Sequence, residues 1–199
     1  IDHIRSDISN VYTGVAPLPP EVFPLKRFPD TRETSSAVYV QAESVIDRWS
    51  ITPGLRWDHF ALDVTTQAGF YPPAAKPGQS LSGSALSPKL GVLYRATSQW
   101  SVFGQYATGF RAPDAAQING YYENAAEQVT IIPNPDLKPE KSRGLELGAR
   151  GRFDRLKLDA AIFANQYSNL IMDTVLIRGT GTAADPRVFQ TLNTERARI

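Results

Sequence analysis

The sequence predicts an all-β fold, an antiparallel transmembrane β-barrel of which this chain supplies about eight strands. Two observations lead there. Apolar and polar residues alternate with period two in one segment after another, as in a sheet whose faces meet different solvents. The connections between these segments alternate between short and long. Transmembrane barrels have that asymmetry, with tight turns at one rim and long loops at the other.

The segments follow in order. Residues 1–13 are polar but extended. Residues 13–33 hold Pro17, Pro19, Pro20, Pro24 and Pro29 and read as loop. In 34–46, Val38, Val40 and Ala42 oppose Tyr39, Gln41 and Glu43, and Asp47–Trp49 reads as a turn. In 50–64, Ile51, Leu55 and Trp57 oppose Thr52, Gly54, Arg56 and Asp58. Residues 65–86, rich in Gly, Pro and Ser, form a second long loop. In 87–96, Leu90, Val92 and Tyr94 oppose Lys89, Gly91 and Arg95. A tight turn at 97–99 leads into 100–110, which ends at Pro113 because proline has no N–H to continue a ladder.

Residues 110–137 then form the longest connection, and a loop of that length suggests function. In 142–153, Leu145, Leu147 and Ala149 oppose Gly144, Glu146, Gly148 and Arg150. A turn at Asp154-Arg155 follows. In 156–171, Leu156, Leu158, Ala160, Ile162 and Ala164 oppose Lys157, Asp159, Phe163 and Asn165. A Gly/Thr/Ala loop near Gly181 precedes a last strand, 189–199. The turns at Asp47, Ser98 and Asp154 therefore belong to one rim, and the loops around Pro20, Ala75, Glu127 and Gly181 to the other. The apolar faces suit lipid. The opposite faces carry Arg, Lys, Asp and Glu, which a wet lumen accepts and a packed core does not unless each charge is paired. Trp49, Trp57 and Trp100 are expected near strand ends, in an aromatic girdle. A soluble antiparallel sheet, solvated on one face, is the alternative reading of the same alternation.

Composition excludes several classes. The 199 residues contain no cysteine, hence no disulfide or thiol chemistry. Lys and Arg number 21 against 20 Asp and Glu, which gives no surface for nucleic acid. No apolar run is long enough for a spanning helix. His3 and His59 have no metal-like spacing, and no nucleophile elbow or phosphate loop occurs, so enzymatic activity is not expected.

The stretch YATGFRAP, followed by NPDLKPEKSRGLELG, resembles the paired boxes of TonB-dependent outer-membrane receptors, haem and haemoglobin receptors above all. TPGLRWD, SPKLGVLYRA and AVYVQAES are similar to further strands of that family. The resemblance implies that residues 1–199 are part of a 22-stranded receptor barrel in the bacterial outer membrane, with the plug and terminal strands outside the chain. It implies energised uptake of an iron-bearing ligand, haem first, through a TonB-type complex acting on the plug. The alternatives are a ferric-siderophore receptor of the same fold and a passive pore. No permanently bound cofactor is expected. Expected partners are outer-membrane lipid and haem, a haem protein or a siderophore.

For ligand contact the resemblance singles out Phe110, Arg111, Asn134 and Asp136 in the two boxes. Tyr121 and Tyr122 are the large rigid side chains between them. The family commonly places an iron-ligating histidine in this interval, and this chain has none there. Tyr121, Tyr122 and, more remotely, His59 are the candidate iron ligands. Asp136 is also expected to close a turn on its own backbone.

Overall fold

The computed structural model describes residues 1–14, 23–70 and 78–198; the loop positions expected around Pro20 and Ala75 lie outside them. The strands are β1 (Asp2–Ile8), β2 (Asp30–Gln41), β3 (Ser44–Ile46), β4 (Trp49–Thr66), β5 (Leu81–Arg95), β6 (Trp100–Arg111), β7 (Tyr122–Asn124), β8 (Val129–Ile132), β9 (Glu140–Arg152), β10 (Lys157–Arg178) and β11 (Arg187–Arg198), with one helix, α1 (Ala115–Asn119). All eleven strands belong to one sheet, in the order β1-β2-β4-β5-β6-β9-β10-β11-β8-β7, with β3 also on β4. The eight long strands form an uninterrupted antiparallel meander. Only β8 is parallel to its neighbour, along the first residues of β11.

Register carries the apolar sets of β2, β4, β5, β6, β9 and β10 to one face. Val38 pairs with Trp57, and Trp57 with Leu86. Leu90 pairs with Tyr106, Tyr106 with Leu145, and Ile162 with Leu147. These side chains are exposed, Ile162 to 73%. Across β4 the apolar set runs from Trp49 to Trp57, and on the β9–β10 hairpin and β10 from Leu156 to Ala164. Each spans about 26 Å at about 3.3 Å per residue, enough for a tilted strand to cross hydrocarbon. At the short-turn end the Trp49 ring lies 4.5 Å from Tyr94, and Trp100 stands edge-on to Phe153 at 5.7 Å.

Along the apolar band the opposite face holds the ions. Arg56 bonds Asp58 at 2.8 Å and Asp2 at 3.1 Å, and Arg150 bonds Asp159 at 2.9 Å. The Arg150 guanidinium also covers the Phe103 ring at 4.4 Å.

The strands exceed the sequence expectation at the long-loop rim. β5 begins at Leu81 rather than 87, and β10 continues to Arg178 rather than 171. The loop at Gly181 is correspondingly a short connection, closed by Thr182 and Asp185. Above the apolar band both faces of a strand meet water or loops, so the hydrogen-bond ladder continues while the alternation stops. For the same reason Trp57 lies in mid-strand, at the upper edge of the band, rather than near a strand end. The segment 34–46 divides at Ala42-Glu43, where Glu43 accepts a hydrogen bond from Ser50 at 2.6 Å.

The long connection between β6 and β9 contains regular structure of its own. Asp114 and Gln117 form a reciprocal capping box at the start of α1, and the β-branched run Val129–Ile132 forms β8. Ile118 is fully buried against Leu62 and Leu137, with Leu81 alongside. The loop therefore packs on the ion-bearing face, and that face is the interior. Its two roots are clamped by Arg111 and Glu140, 2.7 Å apart.

Two results are expected. Ile162→Arg places a charge on the lipid face at mid-span and destabilises by about 2–4 kcal/mol, whereas Phe163→Arg, one residue on and facing inward, costs under about 1 kcal/mol; reversible urea unfolding in vesicles measures both. The second concerns Glu140, which the Arg111 hydrogen bond, aided by the Ile171 N–H and opposed by burial, holds below its ordinary 4.5. A lowered carboxylate stabilises the fold above its unfolded value and loses that contribution as pH falls through the folded one. Glu140→Gln thus costs about 1 kcal/mol at neutral pH and flattens the acid limb of the stability profile below about pH 4.5, read from unfolding midpoints between pH 7 and 3.

Candidate functional site

The interior of the long-loop rim is organised by α1. Asn119, 1% exposed, exchanges hydrogen bonds with both backbone groups of Gln79 at 2.7 and 2.9 Å. That joins the β6–β9 loop to the β4–β5 loop. The Tyr121 N–H donates to the carbonyl of Arg27 at 2.7 Å, and the Asn134 N–H to the carbonyl of Ile118 at 2.9 Å. Segments far apart in sequence thus meet around one short helix.

Beside α1 opens a cleft of about 540 Å³, lined by the aromatic and apolar side chains of Tyr12, Phe28, Tyr121, Tyr122 and Ile131, by Arg27, and by the polar side chains of Asp114, Gln117, Asp173, Thr174 and Thr191. Its size lies in the usual range for small-molecule sites. The Arg27 guanidinium lies 4.4 Å from the Tyr122 ring and 5.3 Å from the Tyr12 ring, a cation held between aromatic faces. The Tyr121 hydroxyl donates to Glu123 at 2.8 Å, and the Tyr122 hydroxyl accepts from Asn124 at 3.0 Å. Among the lining residues Asp173 accepts from Gln117 and Thr191, each at 3.3 Å. Thr174 has φ of 58°, where a β-branched residue is strained, and β10 shifts register between Met172 and Val175. Backbone strain and a broken register at a cleft wall are common at binding sites.

The sequence-derived candidates separate. Tyr121 and Tyr122 line the cleft. Arg111 is bound to Glu140 at the root of the loop. Phe110 lies 6.1 Å from the ring of buried Phe60. Asn134 spans two elements, its side chain donating to the Thr191 carbonyl at 2.8 Å. It also accepts the Asp136 N–H at 3.1 Å, so the turn expected of Asp136 is closed by Asn134 instead, and Asp136 is exposed. His59 sits on the lipid-side face, 3.1 Å from Ser84 Oγ and stacked near Trp57, across the sheet from the cleft. His3 bonds Ser36 on that same face at 2.8 Å.

Arg27, Tyr12 and Asp173 were not found from sequence. Nothing local marks Arg27, which lies in a proline-rich stretch and reaches the site through tertiary contacts. The Asp114–Gln117 spacing is a cap signal that does announce α1.

Comparison with known proteins fits this architecture. The family described as TonB dependent receptor-like, beta-barrel matches residues 2–199. The chain is 26% identical over 121 residues to the probable hemoglobin and hemoglobin-haptoglobin-binding protein 4 of Haemophilus influenzae, covering 57% of this chain and 12% of that protein. It is 26% identical over 148 residues to the probable TonB-dependent siderophore receptor PiuA of Acinetobacter baumannii, covering 71% and 19%. The Serratia marcescens hemophore receptor HasR, solved with its hemophore HasA and heme, superposes with a TM-score of 0.67 at 18% identity, over 86% of this chain and 31% of that one. The chain thus spans less than a third of the length of each. Members of this family are barrels of the bacterial outer membrane and are transporters, not enzymes. With an apolar belt outside, ion pairs inside and the family match across nearly all its residues, the chain belongs to the TonB-dependent receptor β-barrels.

Proposed function

We propose that the chain is a ligand-facing part of an outer-membrane receptor for energised uptake of an iron-bearing ligand, and that haem is the first ligand to test. The observation that carries the reading is the cleft of Tyr12, Arg27, Tyr121 and Tyr122 on the inner side of the long-loop rim. Such a cleft offers flat aromatic surface for a porphyrin and a cation for its propionates. Tyr121 and Tyr122 bring phenol oxygens, the iron-ligating type available in the 110–137 interval. The haemoglobin-binding relative and the hemophore receptor neighbour support the same direction. Energy is supplied through a TonB-type complex acting on a plug domain. Phe110, Arg111 and Asn134 serve this site by fixing the roots and the return of the loop, and Asp136 stands exposed outside it.

A second reading is favoured by Arg27. A guanidinium between two tyrosine rings also suits an anionic, aromatic iron chelate, and a siderophore receptor is among the relatives. Difference spectra of the intact receptor, titrated with haem and separately with ferric siderophores, distinguish the two.

The cleft generates a direct expectation. Tyr121→Ala combined with Tyr122→Ala weakens ligand binding by roughly tenfold or more. Arg111→Ala alone leaves affinity within about twofold, because its partner is Glu140. If the tyrosines ligate iron, Tyr→Phe shifts the haem spectrum; if they stack, Phe preserves both spectrum and affinity. Undiminished affinity in the double alanine variant moves the ligand to other loops.

A further inference from the structure

The lipid-side face of β9–β11 carries an unbalanced set of cations just above the apolar band. Register places Arg143 opposite Gln166 and Gln166 opposite Arg198. One row further from the band, Lys141 is opposite Ser168 and Ser168 opposite Arg196. Paired residues of adjacent strands share a face, and Gln166 has the same parity as Ile162 and Ala164. All six therefore stand on the outside, directly beyond the row that pairs Leu145 with Ala164.

Strands two apart lie about 10 Å from one another and alternate residues about 7 Å apart. The four cations thus bound a rectangle of about 7 by 10 Å, with the neutral side chains of Gln166 and Ser168 in its middle. All four cations are exposed. None takes part in the ion pairs found among the described residues. Nearby acids are turned inward: Glu140 bonds Arg111, and Glu195 has the opposite parity to Arg196.

The rest of the outer rim is different. Above Trp57, the corresponding face of β1–β5 presents His3, Ser36, His59 and Ser84. Further from the band it presents Arg5 opposite Thr34, then Arg32, which lies opposite Asp63 and pairs with Asp7 at 2.8 Å. Charge there is mixed and largely cancelled. The β9–β11 patch is thus a local feature, not a general property of the boundary.

We propose that Lys141, Arg143, Arg196 and Arg198 form a binding site for the phosphate groups of an anionic lipid headgroup in the outer leaflet. The height sets the ligand class. Acyl chains lie against Leu145, Leu147 and Ile162 below, and the headgroup meets the cations one row above. Arginine forks suit phosphate oxygens, and Gln166 and Ser168 supply further donors. Each cation close to an anionic lipid surface strengthens attachment by about fivefold.

The test uses the intact receptor in neutral detergent, titrated with a bis-phosphorylated, multiply acylated glucosamine glycolipid and with its dephosphorylated form, bound lipid being counted by native mass spectrometry. The expected result is retention of the phosphorylated lipid alone. Lys141→Gln, Arg143→Gln, Arg196→Gln and Arg198→Gln together reduce that retention at least tenfold. The charge-conserving set Lys141→Arg, Arg143→Lys, Arg196→Lys and Arg198→Lys keeps it within about threefold and remains informative if the glutamine set fails to fold. Lys89→Gln with Lys157→Gln, both on the inner face, leaves it unchanged. Equal retention of the dephosphorylated lipid overturns the proposal, as does undiminished retention in the glutamine set or equal loss in the inner-face control. Displacement of the lipid by millimolar inorganic phosphate would assign the patch to a soluble anion and overturn it as well.

Discussion

Backbone hydrogen bonding inside hydrocarbon is the constraint on which this structure depends. A peptide group that leaves water must be paired within the protein, and in a sheet that means a neighbour on each side. The inner strands β2, β4, β5, β6, β9 and β10 have such neighbours within one continuous antiparallel meander, which in turn imposes a period of two on the side chains. One set of residues then faces lipid along the whole sheet and the other faces inward, with no freedom to mix. Leu147, Ile162 and Leu55 are exposed for that reason, and Arg56, Asp58, Arg150 and Asp159 turn to the other face, where they pair.

A sheet one layer thick has no ordinary core in its middle. Most of the buried apolar side chains of the described residues, among them Phe60, Leu62, Ile118, Leu137 and Val188, lie towards the long-loop rim. Packing energy is therefore concentrated where loops fold back over strands. Gly83 illustrates the fit: a side chain there would meet the ring of Phe60, 2.9 Å away. A rigid wall bearing well-packed loops is a common arrangement for recognition. In this chain α1 gathers those loops, with Ile118 supplying the apolar anchor and Asn119 the polar one.

The two outer zones of the sheet serve different solvents. Within the band the lipid-side residues are apolar or aromatic. Beyond it they become cationic on one flank and histidine- and serine-rich on the other. The change occurs over a single row, from Leu145 to Arg143 on β9. A boundary that sharp follows from the cost of charge in hydrocarbon, which declines steeply towards the headgroups.

The sequence by itself determined the fold class, the number of long strands and which residues of β2, β4, β5, β9 and β10 share the apolar face. Period-two alternation is local, and antiparallel pairing keeps its parity, so Leu145, Leu147, Leu156, Leu158, Ala160 and Ile162 could be assigned to one face from spacing alone. It determined strand ends poorly, because β5 and β10 run on above the membrane where no solvent contrast writes a pattern. It marked Tyr121 and Tyr122 through their place between two proline-bounded segments. Only the tertiary structure decided that Arg27 lies between Tyr12 and Tyr122, that Asn134 rather than Asp136 closes its turn, and that His59 faces away from the cleft. Those outcomes rest on contacts between segments distant in sequence, and on twist and register, which no local pattern encodes.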